Sequence, residues 1–129
     1  MIVHHHAIII ASVRRPVSEI RCEDLGKFLS DLVTAIGMQA LFEPIAIHGK
    51  FGFTGLVGIV TSHIAFHYFE ADRSLHFDVY SCKAYDLRKL LEYVDRYWSI
   101  DKAEIVFLKR DEGPSIEKYS FVNHTLIKE

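Results

Sequence analysis

Two runs in the middle of the chain alternate polar and apolar residues, and only the four residues 70–73 separate them. In the first, from Ser62, one face receives His63, Ala65, His67 and Phe69, and the other receives Ile64, Phe66 and Tyr68. In the second, 74–82, His76, Asp78, Tyr80 and Cys82 share one face, while Leu75, Phe77 and Val79 share the other. Strand side chains point to opposite faces in turn, so each run reads as a half-buried strand. A connection this short requires antiparallel pairing. The joined apolar face then needs a cover, which the rest of the chain must supply.

That cover is legible as two helices. Residues 22–37 place Leu25, Phe28, Leu29, Leu32, Val33 and Ile36 in one stripe, with Gly37 as C-cap. Residues 85–98 do the same with Leu87, Leu90, Leu91, Val94 and Trp98. A buried strand is expected over His6–Ser12, ended by Arg14, Arg15 and Pro16. Residues 39–47 read as an irregular strand that Pro44 confines to an edge or a bulge. After the glycine-spaced loop HGKFGFTG come a strand over 54–61, a bend near Thr61–Ser62, and the run 63–69. A last strand spans 101–109, Gly113–Pro114 breaks the chain, and the tail is assigned no element. The order β-α-β-β-β-β-α-β implies an α+β two-layer sandwich, a mainly antiparallel sheet with two helices on one face. The 129 residues suit a single domain.

Composition narrows the function. Fifteen Lys and Arg against 17 Asp and Glu leave no basic footprint for nucleic acid. No apolar run approaches the ~20 residues of a membrane helix. Two cysteines, Cys22 and Cys82, are too few for a disulfide scaffold, so a cytoplasmic protein with reduced thiols is expected. Eight histidines raise the question of a metal. His63 and His67 have helical ligand spacing, but on a strand they stand ~13 Å apart. That is too far for one ion with bonds of ~2.0–2.1 Å, so no metal site is expected. The triplet His4–His6, shorter than a purification tag, leads into the first strand.

The segment from Gly52 to His67 resembles the core of the small prokaryotic S-adenosylmethionine decarboxylases. That family has a Ser/Thr-Gly step, an apolar strand, Glu-Ser-His, three residues and a second His. Thr54-Gly55, Ser62-His63 and His67 match it, Cys82 keeps the family's interval from the serine, and Phe77-Asp78-Val79-Tyr80-Ser81-Cys82 matches the strand that carries the cysteine. The resemblance covers roughly residues 4–109. It implies a covalent pyruvoyl cofactor carved from Ser62. Ser62 would attack the carbonyl of Thr61, and elimination would leave a β chain of 1–61 and an α chain of 62–129. It casts Thr54 as the oxyanion donor, His67 as the base that removes the α-proton, and Cys82 as the acid that returns a proton after decarboxylation. The pyruvoyl carbonyl would form a Schiff base with the substrate amine. A homodimer with residues of both chains in each site is also implied.

The chain departs from the family in three places. Thr61 replaces the glutamate before the serine. After His67 the family continues Thr-Trp-Pro-Glu, whereas this chain has Tyr68-Phe69-Glu70-Ala71. Phe69 therefore stands for the adenine-stacking Trp, and Ala71 for the ribose-binding Glu, with Glu70 next to it. His48 stands where the second stacking aromatic is expected, with Phe51 and Phe53 near it. The resemblance thus implies decarboxylation of S-adenosylmethionine for polyamine synthesis, with Phe69, Glu70, His48 and Phe51 at the substrate. Arginine or ornithine is the alternative substrate, and an uncleaved binding or regulatory subunit is the non-catalytic alternative.

Overall fold

The alternation seen in the sequence sorts the sheet into two faces. A computed structural model describes residues 2–110 and 113–129. The elements are β1 (His5–Val13), α1 (Cys22–Ala35), β2 (Ile45–His48), β3 (Gly52–Ile59), β4 (Ser62–Phe69), β5 (Ser74–Ser81), α2 (Leu87–Trp98), β6 (Ile100–Lys109), β7 (Ser115–Val122) and β8 (Thr125–Lys128). The strands form one antiparallel sheet in the order β2-β3-β4-β5-β1-β6-β7-β8.

Ala7, Ile9 and Ala11 of β1, Ile64 and Phe66 of β4, and Leu75, Phe77 and Val79 of β5 are buried with the apolar stripes of α1 and α2. Trp98 is fully buried, its ring among those of Phe28, Phe66 and Tyr68. The opposite face carries His63, His67 and His76, all exposed, as the alternation implied. It also exposes Ile10, Leu56, Ile116 and Ile127.

Helix ends follow local chemistry. Gly37, at φ 78°, takes the left-handed position after the α1 C-cap, and Met38 N–H returns to Val33 O at 2.9 Å. Asp86 caps α2, its carboxylate accepting from Arg88 N and Lys89 N.

Four expectations need correction. The strand foreseen over 39–47 shrinks to Ile45–His48, and Ala40 makes only an isolated bridge to Ile59. Pro44 lacks the N–H that would carry the ladder across it. The strand foreseen over 54–61 runs from Gly52 to Ile59, leaving Val60 and Thr61 in the turn. The first helix stops at Ala35. The tail left without structure forms the β7–β8 hairpin, which extends the sheet beyond β6.

Candidate active site

The tight turn from β3 to β4 puts Thr61 at φ 50°, a left-handed conformation uncommon for a β-branched residue. Ser62 follows at the start of β4. The pairing of β4 with β5 sets His63 opposite Tyr80, which brings Cys82 beside Ser62. Cys82 N–H donates to Ser62 Oγ at 3.0 Å. Thr61 Oγ1 lies 2.8 Å from Cys82 Sγ, and the thiol faces Val60 O at 3.6 Å. The hydroxyl of Thr61, and then that of Ser62, holds the Cys82 thiol below its usual pKa. A cleft of about 390 Å³ opens here, lined by Ser62, Cys82, Ser81 and Lys83 and by Gly37, Met38 and Gln39.

Sequence reasoning did not single out Lys83 or Ser81. Lys83 Nζ donates to Gly37 O at 3.1 Å and ties the β5 end to the α1 end. Ser81 Oγ donates to Lys83 O at 2.5 Å. The signal was weak: Lys83 acts on a backbone group 46 positions away, and Ser81 holds the chain just after β5 through a local bond of the kind serines make in many turns.

Thr54 and His67 meet elsewhere. They are register partners on β3 and β4, with Thr54 Oγ1 3.0 Å from His67 Nδ1. Phe69 stands edge-on to His76, ring centroids 5.5 Å apart. Nearby, His48 stacks on Phe53 at 4.2 Å and 9°, and its Nε2 lies 2.5 Å from Glu70 Oε1. Glu70 N–H donates to Phe51 O at 3.0 Å, while the Phe51 ring stays exposed. Phe51, Phe69, Thr54 and His67 line a second cleft of about 200 Å³.

The candidate residues therefore form two groups. Thr61, Ser62 and Cys82 make one; Thr54, His67, His48, Phe51, Phe69 and Glu70 make the other. Four residues of continuous strand stand between Ser62 and His67, and the five steps span roughly 16 Å at the usual rise. Within one chain His67 does not reach Ser62.

His4, His5 and His6 stand together at the start of β1. His5 and His6 belong to β1, and His4 Nδ1 meets Tyr80 OH at 2.7 Å. His6 Nε2 faces Asp78 at 3.4 Å. Among the described residues, no three His, Cys, Asp or Glu side chains are grouped to hold a metal ion. No helix there is long and apolar enough to cross a membrane.

An antiparallel sheet with both helices on one face makes this a two-layer α+β protein, with the left-handed Thr61 and Ser62 turned toward the Cys82 thiol. Comparison with known proteins sharpens this. The profile of the S-adenosylmethionine decarboxylase family matches residues 20–111, and the chain belongs to that family. Among solved structures it is similar to the adenosylmethionine decarboxylase from Aquifex aeolicus VF5. The two share 19% identity with a TM-score of 0.66, over 87% of this chain and 92% of that one. That likeness speaks to the fold. No curated protein matches the sequence.

Proposed function

We propose that the protein is a pyruvoyl-dependent decarboxylase that cuts itself between Thr61 and Ser62 and acts on S-adenosylmethionine, supplying polyamine synthesis. The observation that carries this reading is the placement of a serine hydroxyl directly after a left-handed residue and beside a thiol. Backbone strain held at such a turn suits a peptide poised to react.

In the first step Ser62 Oγ, losing its proton to a base, attacks the carbonyl carbon of Thr61. The Thr61–Ser62 C–N bond breaks and an ester bond forms. Loss of the Ser62 α-proton then expels Thr61 as a carboxylate and leaves a dehydroalanine. Water converts the dehydroalanine into a pyruvoyl group and releases ammonia. The residues at the turn fit that group: Ser62 supplies its carbons, and Cys82 stands where an acid would serve it. A pyruvoyl group supplies a carbonyl that condenses with a substrate amine and withdraws electrons as carbon dioxide leaves. Cys82 then holds the proton that returns to the substrate carbon. Phe69 and Phe51 offer aromatic faces to a purine, and Glu70, oriented by His48, offers a carboxylate.

His67 and Thr54 serve a Ser62 they do not reach in their own chain. We assign them to the site of a second copy, so that a homodimer builds each centre from both chains. The apolar residues on the open sheet face support such a partner. The test is complementation. His67→Ala is expected to slow cleavage by about 10²–10⁴-fold, the usual contribution of an acid–base residue. Refolding it together with Ser62→Ala chains is expected to restore cutting of the His67→Ala chain. Normal cutting of His67→Ala alone, or no rescue in the mixture, rejects the assignment.

A basic amino acid is the second reading for the substrate. It is favoured by Ala71, which accepts no side-chain hydrogen bond from a ribose, and by the His48 ring, which is already stacked on Phe53. Identifying the amine formed from S-adenosylmethionine, arginine or ornithine separates the two.

A further inference from the structure

Cys82 is held from both sides of one peptide bond. The hydroxyl of Thr61 lies 2.8 Å from its sulfur, and the hydroxyl of Ser62 accepts its backbone N–H at 3.0 Å. The Thr61 hydroxyl has a second partner, Val60 O, at 2.8 Å. Its single proton serves only one of them at a time. When the sulfur carries its own proton, S–H donates to Thr61 Oγ1 and the hydroxyl donates to Val60 O. When the sulfur is ionised, the hydroxyl turns and donates to it. The contact thus persists in both protonation states.

The backbone at Thr61 pays for this arrangement. At φ 50° glycine or asparagine would sit with less strain. Neither places a hydroxyl on the sulfur. The sulfur also faces Val60 O at 3.6 Å, which only accepts, and the hydroxyl of Ser62 is the second group that favours its ionised form.

We propose that Thr61 is a positioning residue for Cys82, its hydroxyl fixing the sulfur at the mouth of the cleft beside Ser62. The lowered thiol pKa has the same origin, since the Thr61 hydroxyl is its largest cause. The use of that sulfur as a proton donor rests on the decarboxylase reading above; the hold itself does not.

The test reads the thiol directly. The parent is the chain with Cys22→Ser and Ser62→Ala, which carries one thiol and cannot be cut at Ser62. Alkylation by iodoacetamide is followed against pH, because the thiolate is the reacting form. Thr61→Val and Thr61→Ala are expected to move the alkylation midpoint to higher pH and slow the reaction at neutral pH. Thr61→Ser is expected to keep the parent midpoint. Thermal melts identify any variant that fails to fold, and Thr61→Ala, free of β-branching, serves if Thr61→Val does. An unchanged midpoint in the folded variants lacking the hydroxyl overturns the proposal, as does an equal shift in Thr61→Ser. The parent stays whole, so this outcome is independent of the decarboxylase reading, which the intact mass of the unsubstituted chain decides.

Discussion

The hydroxyl of Tyr85 spans a register pair of the central sheet. It donates to Val79 O on β5 at 2.8 Å and accepts Ala7 N–H from β1 at 3.1 Å. Burial pushes its ionisation well above the ordinary phenol value. A raised folded pKa means that the contribution is complete below the unfolded value of ~10 and fades as pH climbs beyond it. Tyr85→Phe is expected to lower stability by about 1–3 kcal/mol at neutral pH, since it strips partners from buried backbone groups. It should also flatten the decline above pH ~10. Denaturant titrations at pH 7 and at alkaline pH check both; equal stability of the two proteins at neutral pH would contradict this account. At the same scale, the Ser62–Cys82 relation was legible only through the family resemblance, and the β4–β5 register is what turns that interval into contact. The His48–Glu70 pair was not legible. It joins the end of β2 to the turn after β4, 22 positions apart, and no periodicity relates the two.

Elements were readable where a local pattern governs them. The α1 and α2 stripes and the β4 and β5 alternation all appear in the fold, with ends shifted by a few residues. The β7–β8 hairpin was missed, although it carries a signal. Asn123 and His124 have φ of 51° and 59°, a two-residue turn of the type that suits hairpins. His124 Nδ1 then meets Asp95 Oδ2 of α2 at 2.5 Å, a tertiary tie that the tail's sequence does not announce. The start of β3 yields a prediction. A Cβ on Gly52 would sit 1.8 Å from the backbone oxygen of Tyr68, and a main-chain oxygen has little room to yield. Gly52→Ala is expected to cost about 1–3 kcal/mol or more, as overpacking does. An unchanged denaturation midpoint would mean that β3 and β4 do not approach as described.

For the whole molecule, the decisive feature is the sheet order. β1 lies between β5 and β6, so the first strand of the chain closes the centre of the sheet. Alternation foretold antiparallel pairs of neighbours but not this insertion, which depends on contacts between distant parts of the chain. The same sheet places Thr61, Ser62 and Cys82 at one end of β4, and Thr54 and His67 toward the other. One face of the sheet is covered by helices, while Ile10, Leu56, Ile116 and Ile127 are exposed on the other. A second copy across that face would unite the two half-sites and cover the apolar residues together. The central claim remains chemical, that Ser62 becomes the cofactor. Intact-mass spectrometry of the purified protein, with and without a carbonyl-trapping reagent, tests it most directly. Two pieces that meet at Thr61–Ser62 are expected, with the trapping reagent adding mass only to the piece that begins at position 62. A single uncut chain that takes up no reagent after long incubation would contradict it.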